Sequence, residues 1–216
     1  MSINDKGFLI GQMKELNIGF IRDEIAHYKF NIITKRLSGA EDVIPCVISE
    51  TVLEKFKEEN AYKIPLTVKV EGELRSRNVR LENRSKSKLV LYFKVSKLSA
   101  YEEDASSNAL ILNGTICKPP VYRKTPLGRE ITDILLAINI GNASSYIPLI
   151  LWGYNASAAA RYNVGEKILI SGRIQSRVYQ KDEREHVAYE VSVNKCYHEK
   201  DTDLHNQMQI IEKCIL

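Results

Sequence analysis

The 216-residue sequence has little of what several large protein classes require. Its four cysteines are far apart, and no two of them have the C-x-x-C spacing, so we expect neither a disulfide framework nor a thiolate metal site. No apolar run approaches the ~20 residues that span a bilayer, and residues 1–11 lack the basic-then-apolar pattern of a signal peptide. These absences predict a cytoplasmic protein that does not associate with a membrane.

Sequence motifs for catalysis and cofactor binding are also missing. There is no GxxxxGKS/T loop, no GxSxG nucleophile motif and no notable pair of carboxylates. Cys196, His198 and His205 are close in sequence, but their order matches no zinc-finger spacing. We therefore expect a non-enzymatic protein without metal or cofactor. The net charge of +4, from 31 basic and 27 acidic residues, permits a polyanionic partner but does not require one.

The chain contains an internal repeat with a period of about 100 residues. The Ile-Pro centre of DVIPCVI at 42–48 returns in SYIPLIL at 145–151, and the Gly-x-x-x-Ser-Arg pattern of VEGELRSR at 70–77 returns in ISGRIQSR at 170–177. Each half reads as five strands with a short helix between the third and the fourth. This order predicts an all-β chain of two tandem OB-folds, which are five-stranded Greek-key barrels. A pair of unrelated β-sandwich domains is the alternative.

Glycines inside the longest strand of each half support the prediction of small barrels. Gly72 and Gly172 hold the same place in the two halves, and a glycine there commonly marks the sharp bend that a small barrel needs. Beyond the second half, four apolar residues recur at roughly helical spacing and predict a short helix packed on its own domain: Leu204, Met208, Ile211 and Ile215. The predicted boundaries are 1–100 for the first OB-fold, 101–107 for an acidic linker, 108–197 for the second OB-fold and 198–216 for the tail.

Strand alternation places aromatic rings and cations on the outside of the second barrel. In 145–151, Ile147, Leu149 and Leu151 point into the barrel. The outward residues of this strand are Tyr146, Pro148, Ile150 and Trp152, and those of the following long strand are Arg173, Gln175, Arg177 and Tyr179. Exposed rings beside cations are what unpaired nucleic acid needs, because bases stack on the rings and phosphates meet the charges. From this pattern alone, a dimer surface or a surface between the repeats explains the rings equally well.

Two further groups of cations are candidates for phosphate contacts. Arg123, Lys124 and Arg129 surround the turn Thr125–Gly128. In the first repeat, cations crowd the hairpin between the last two strands, from Arg75 through Arg77 and Arg80 to Lys88. Solvated loops are the alternative interpretation of both groups.

The second half of the chain resembles the bacterial single-stranded DNA-binding protein family. The resemblance covers 108–195 and rests on the stretches LILNGTICKPPVYRKTPLGREI, ILLAINI, SYIPLILWGYNA, YNVGEKILISGRIQSRVYQ and AYEVSVNK. It implies that Tyr146, Trp152 and Tyr179 stack on bases. The loop between strands two and three carries none of the family's aromatics, so one stacking contact is expected to be missing. The counterparts of the three rings in the first half are Val43, Ser49 and Val79, which implies a degenerate first barrel.

The phrases CKPPVYRKTPLGREI and GRIQSRVYQK are similar to a tandem OB-fold branch of this family from Gram-positive bacteria. The resemblance implies a nucleoid-associated protein that binds single-stranded DNA in replication, repair or recombination. It also implies a homodimer that supplies four OB-folds. The residues at the end of this sequence, QMQIIEKCIL, do not resemble the family's acidic partner-recruiting tip, so we do not expect that role here, and protein partners are unknown. A primosome-like scaffold that acts through proteins, or a single-stranded RNA-binding protein, is the alternative.

Overall fold

The computed structural model describes residues 5–61, 67–80, 87–102, 105–140, 143–181 and 184–215. The chain divides into two compact units. The first unit is Lys6–Arg75 with Leu91–Asn108, and the second unit is Met1–Asp5, Ser76–Val90 and Ala109–Leu216. No helix of the described residues is long and apolar enough to cross a membrane.

The first repeat forms a closed barrel of five strands, and the far ends of its last two strands, from Ser76 to Val90, belong to the second unit. Its elements are β1 (Asp5–Arg22), β2 (Ile25–Lys35), β3 (Glu41–Ser49), α1 (Glu50–Glu59), β4 (Thr67–Arg80) and β5 (Ser87–Ala100). Hydrogen-bonded neighbours follow the order β2-β3-β5-β4-β1, and β1 also pairs with β2, which closes the barrel. β3 and β5 are parallel. The helix between the third and fourth strands buries Leu53 and Phe56.

The second unit contains a barrel with the same connections. Its elements are β6 (Ser107–Ile116), β7 (Val121–Lys124), β8 (Glu130–Ile140), β9 (Ala143–Trp152), α2 (Gly153–Ala159), β10 (Lys167–Lys181) and β11 (Arg184–His198). The order is β6-β10-β11-β9-β8-β7, and pairing of β6 with β8 closes the barrel. α2 again lies between the third and fourth main strands and buries Ala156 and Ala159. The prediction of two OB-folds, each with a short helix in this place, is confirmed.

A C-terminal helix, α3 (Leu204–Ile215), covers an apolar patch outside the second barrel. Met208 and Ile211 are buried and pack with Ile111 of β6 and Leu169 of β10. The helical spacing of the tail therefore corresponds to a face that packs on its own domain. Glu103 and Asp104 of the predicted acidic linker lie outside the described residues.

His198, just before this helix, is buried and engaged at both ring nitrogens. Its Nε2 is 3.0 Å from Glu166 Oε2, and its Nδ1 accepts a hydrogen bond of 3.1 Å from the Lys200 backbone N–H. Lys200 Nζ pairs with the same carboxylate. Within the part of the chain that the structure describes, no group of three or more His, Cys, Asp or Glu residues could hold a metal ion.

Each barrel has a crossing point that is too tight for any side chain. A Cβ atom on Gly172 would lie 2.5 Å from the backbone oxygen of Ser192 in β11. A Cβ on Gly72 would collide in the same way with the backbone oxygen of Lys94 in β5. The glycines 100 positions apart are thus required by the close approach of the fourth strand to the fifth.

We expect Gly172→Ala to destabilise the second barrel by about 1–3 kcal/mol, since backbone must shift to admit the methyl group. For a domain of this size, the melting temperature should fall by roughly 4–8 °C per kcal/mol. Thermal unfolding followed by circular dichroism measures the change. Lys195→Ala, an exposed substitution in β11, is the control and should stay within about 0.5 kcal/mol of the parent. Equal melting temperatures for the parent and Gly172→Ala would contradict the steric explanation.

Candidate nucleic-acid interface

Two large rings stand on the outer face of β9. Tyr146 is 40% exposed and Trp152 is 38% exposed. They are six residues apart, so at ~3.3 Å per residue their backbones are about 20 Å apart on one face of the strand. Ala137 of β8 lies opposite Tyr146, and its methyl group is too small to cover the ring. The rings are therefore available to a ligand that runs along the strand.

The apolar residue between the rings is not available. Ile150 was predicted to point outward and shares the face of the rings, but it is only 5% exposed. It lies opposite Asp133 of β8 and is the parallel partner of Ser192 in β11. Neighbours on both sides thus bury it, which alternation along one strand does not reveal.

The register between strands brings Arg173 onto this same face. Arg173 of β10 lies opposite Ser192 of β11, which is the partner of Ile150 in β9. Side chains of directly paired residues share a face. Arg173 is therefore two strands from the row of rings, at roughly 10 Å by ordinary strand spacing. The Nε atom of Arg173 is buried, and this atom has no hydrogen-bond partner among the described residues.

Tyr179 belongs to the same face, on the extension of β10 and β11. It lies opposite His186, and the two rings are stacked with centroids 5.5 Å apart and planes inclined by 27°. Arg177 Cζ is 5.6 Å from the Tyr179 ring centroid, a cation–π distance. Tyr179 is half-buried between these contacts and has less free ring surface than the rings of β9.

Ion pairs neutralise some of the predicted cations. Arg123 holds Asp133 with both Nε and Nη2, at 2.8 and 3.2 Å. Arg75 of the first unit binds Glu73 at 2.8 Å through Nη2, and its side chain is only 13% exposed. In contrast, Arg77, Arg80 and Arg129 are exposed.

Glu130 connects the β7–β8 hairpin to α2. It accepts hydrogen bonds from Ser157 Oγ at 2.5 Å and Tyr122 OH at 2.7 Å, and Lys124 Nζ is 4.0 Å away. These donors, that of Ser157 above all, hold the pKa of Glu130 below its ordinary value. The hairpin that carries Arg123 and Lys124 is therefore attached to the helix that follows Trp152.

Comparisons with known proteins agree with this arrangement. Residues 107–198 match the family model described as "Single-strand binding protein family". The single-stranded DNA-binding protein B of Bacillus subtilis is 34% identical over 84 residues, which cover 35% of this chain and 74% of that protein. The Clostridium tetani single-stranded DNA-binding protein is 36% identical over 81 residues, or 34% of this chain and 56% of that protein. The chain belongs to the single-strand binding protein family.

This family membership was predicted from the motifs of 108–195 and is confirmed, with similar proteins in Gram-positive genera. The chain spans just over half of the Clostridium tetani protein. The fold is also similar over both repeats to the crystal structure of the wild-type single-stranded DNA binding protein from Thermus aquaticus. The TM-score is 0.71 with 18% identity, over 90% of this chain and 92% of that chain.

The structure brings five of the predicted site residues of this family member together on one face: Tyr146, Trp152, Arg173, Arg177 and Tyr179. Residues 81–86 of the cationic hairpin lie outside the described residues. In the first barrel, Val43 is 41% exposed at the place of Tyr146. The roles of the predicted site residues in binding DNA stay predictions.

Sequence reasoning missed two ring contacts. His186 stacks on Tyr179, and counting back from a hairpin centred between Lys181 and Arg184 would have paired the two residues. In the first unit, Phe20 and His27 stack at 4.7 Å near the end of the β1–β2 hairpin. Counting back from the turn between Arg22 and Ile25 would have paired these two residues as well.

We expect Glu130→Gln to lower stability near neutral pH, because the charge-assisted hydrogen bonds are lost. The folded-state pKa of Glu130 is depressed, so its stabilising contribution is present above the ordinary value of 4.5 and is lost as pH falls through the lower folded value. The difference between the parent and Glu130→Gln should therefore shrink below pH 4.5. Urea midpoints measured across this pH range provide the check. A difference that stays constant with pH would contradict the role of the carboxylate.

Proposed function

We propose that this protein binds single-stranded DNA without catalysis, in DNA replication, repair or recombination. One observation carries the proposal: the outer face of β9 exposes Tyr146 and Trp152 together, in a chain of the single-strand binding protein family. Bases stack on such rings with little sequence preference. The named relatives from Bacillus and Clostridium are single-stranded DNA-binding proteins, which supports the same ligand for this chain.

In this proposal the three rings have unequal roles. Tyr146 and Trp152 each receive a base, and their separation along β9 assigns them to different nucleotides. Tyr179 adds a weaker contact because Arg177 and His186 already occupy part of its surface.

The phosphate contacts are proposed to follow the available charge. Arg173 is the strongest candidate, because its side chain is half-buried and its buried Nε has no hydrogen-bond partner among the described residues, so a phosphate would supply the missing acceptor. Arg177, Arg129, Arg77 and Arg80 come next as exposed cations. Arg123, Lys124 and Arg75 contribute less, since a carboxylate already offsets each of them.

The two repeats are proposed to have different functions. Residues 108–197 form the binding domain and 1–100 a degenerate OB-fold, joined by the linker 101–107 and followed by the tail 198–216. Two chains would supply four barrels as a homodimer in the cytoplasm, associated with the nucleoid. Light scattering tests the assembly: a mass equal to one chain, with and without DNA, would contradict it.

We expect oligo-dT at low salt to quench the fluorescence of Trp152, the single tryptophan of the chain. Tyr146→Ala should weaken binding by about 5- to 150-fold, which corresponds to the ~1–3 kcal/mol of one stacked base. Val43→Ala replaces the first-repeat counterpart and is the matched control, with affinity unchanged. Unchanged fluorescence with oligo-dT would contradict the proposed function. Stronger binding of a matched RNA oligonucleotide would indicate that the ligand is RNA.

A comparison of two arginines tests the phosphate contacts. Arg173→Ala should lower the slope of log affinity against log salt by ~0.7, the value for one phosphate on a single strand. Arg123→Ala should change the slope less, because Asp133 already balances its charge. Titrations of oligo-dT at several salt concentrations measure both slopes. Equal changes for the two variants would contradict the ranking.

A further inference from the structure

A serine of the first repeat makes two hydrogen bonds with the strand that carries the rings. The backbone N–H of Tyr146 donates to Ser76 Oγ at 2.7 Å. In return, the backbone N–H of Ser76 donates to Ser145 Oγ at 3.3 Å. Ser76 lies in β4, but residues from Ser76 to Val90 belong to the second unit.

The position of Tyr146 on β9 explains why its N–H can bond to a residue outside the barrel strands β8 and β11. On one side β9 is paired with β8 along its whole length. On the other side, its described ladder with β11 consists of Leu149 and Ile150. The N–H of Tyr146 lies beyond the two residue pairs of that ladder, and its hydrogen-bond acceptor is the hydroxyl of Ser76. Ser145, whose hydroxyl accepts the return bond, is only 3% exposed.

We propose that Ser76 is a positioning residue for base stacking, which acts by fixing the backbone of Tyr146. This inference rests on the proposed function, because Tyr146 must contact a base for its position to matter. A ring held in its binding geometry before the ligand arrives loses less conformational entropy on binding.

This contact gives a structural role to the serine of the repeated Gly-x-x-x-Ser-Arg pattern in the first repeat. Its glycine permits the close crossing of strands, and its serine and arginine follow four and five residues later, on the extension of β4. In the first repeat, the pattern thus connects the bend at Gly72 to Ser76, which contacts the strand that carries the rings.

The test is a double-mutant cycle on oligo-dT affinity with Ser76→Ala and Tyr146→Ala. Ser76→Ala alone should weaken binding by about 2- to 10-fold, the range of one neutral hydrogen bond. In the Tyr146→Ala background it should have no further effect, because no ring remains to be positioned. Ser76→Thr keeps the hydroxyl and should restore binding. The salt slope should stay unchanged in Ser76→Ala, whereas Arg77→Ala lowers it by ~0.7.

A matched control is Ser96→Ala, which removes a serine hydroxyl that donates to the Glu71 backbone oxygen in the first unit. It should bind like the parent. Parent-like affinity of Ser76→Ala would overturn the inference, and so would an equal loss in both backgrounds, which would indicate a purely structural role. If Ser76→Ala does not fold, Ser145→Ala breaks the return bond and must show the same dependence on Tyr146.

The proposed function and this inference fail differently. If the parent does not bind oligo-dT, both fail. If the parent binds and Tyr146→Ala weakens binding while Ser76→Ala does not, only the positioning role is wrong.

Discussion

The parallel ladder between β9 and β11 is the interaction on which the outer face of the second barrel depends. It consists of two residue pairs, Leu149 with Val191 and Ile150 with Ser192. The strands it joins are separated in sequence by α2 and β10, so forming it requires closure of a long loop. Without it, the rings of β9 and the cations of β10 would be connected only the other way around the barrel, through β8 and β6. The glycine bend at Gly172, the closure of β6 on β8 and the small helix all allow these two strands to meet.

Much of this arrangement could be predicted from local pattern. Alternation along β9 separates Tyr146 and Trp152 from the core residues Ile147, Leu149 and Leu151, and along β10 it assigns Arg173 and Tyr179 to a common face. Alternation succeeds there because the period of a strand is set by backbone geometry alone. The helix between the third and fourth strands and the glycine at the bend could be predicted for a different reason, because both occur twice in the same order.

Features that depend on partners distant in sequence could not be predicted. The burial of Ile150 needs β8 and β11 on either side, and the bond from Tyr146 to Ser76 links positions 70 residues apart. Charge shows the same limit. Arg123 and Arg173 are both cations in the sequence, yet Asp133 balances the former, while the Nε of the latter is buried without a hydrogen-bond partner among the described residues.

Duplication within one chain has a consequence for how such a protein can change. In an assembly of identical single-barrel chains, every substitution appears in every barrel, so a residue that weakens binding is imposed on all sites at once. Here both barrels have a parallel ladder and a bend glycine in the same places, but Val43 stands in one where Tyr146 stands in the other. Selection on the scaffold and selection on ligand contact can therefore act on different halves of the same gene product.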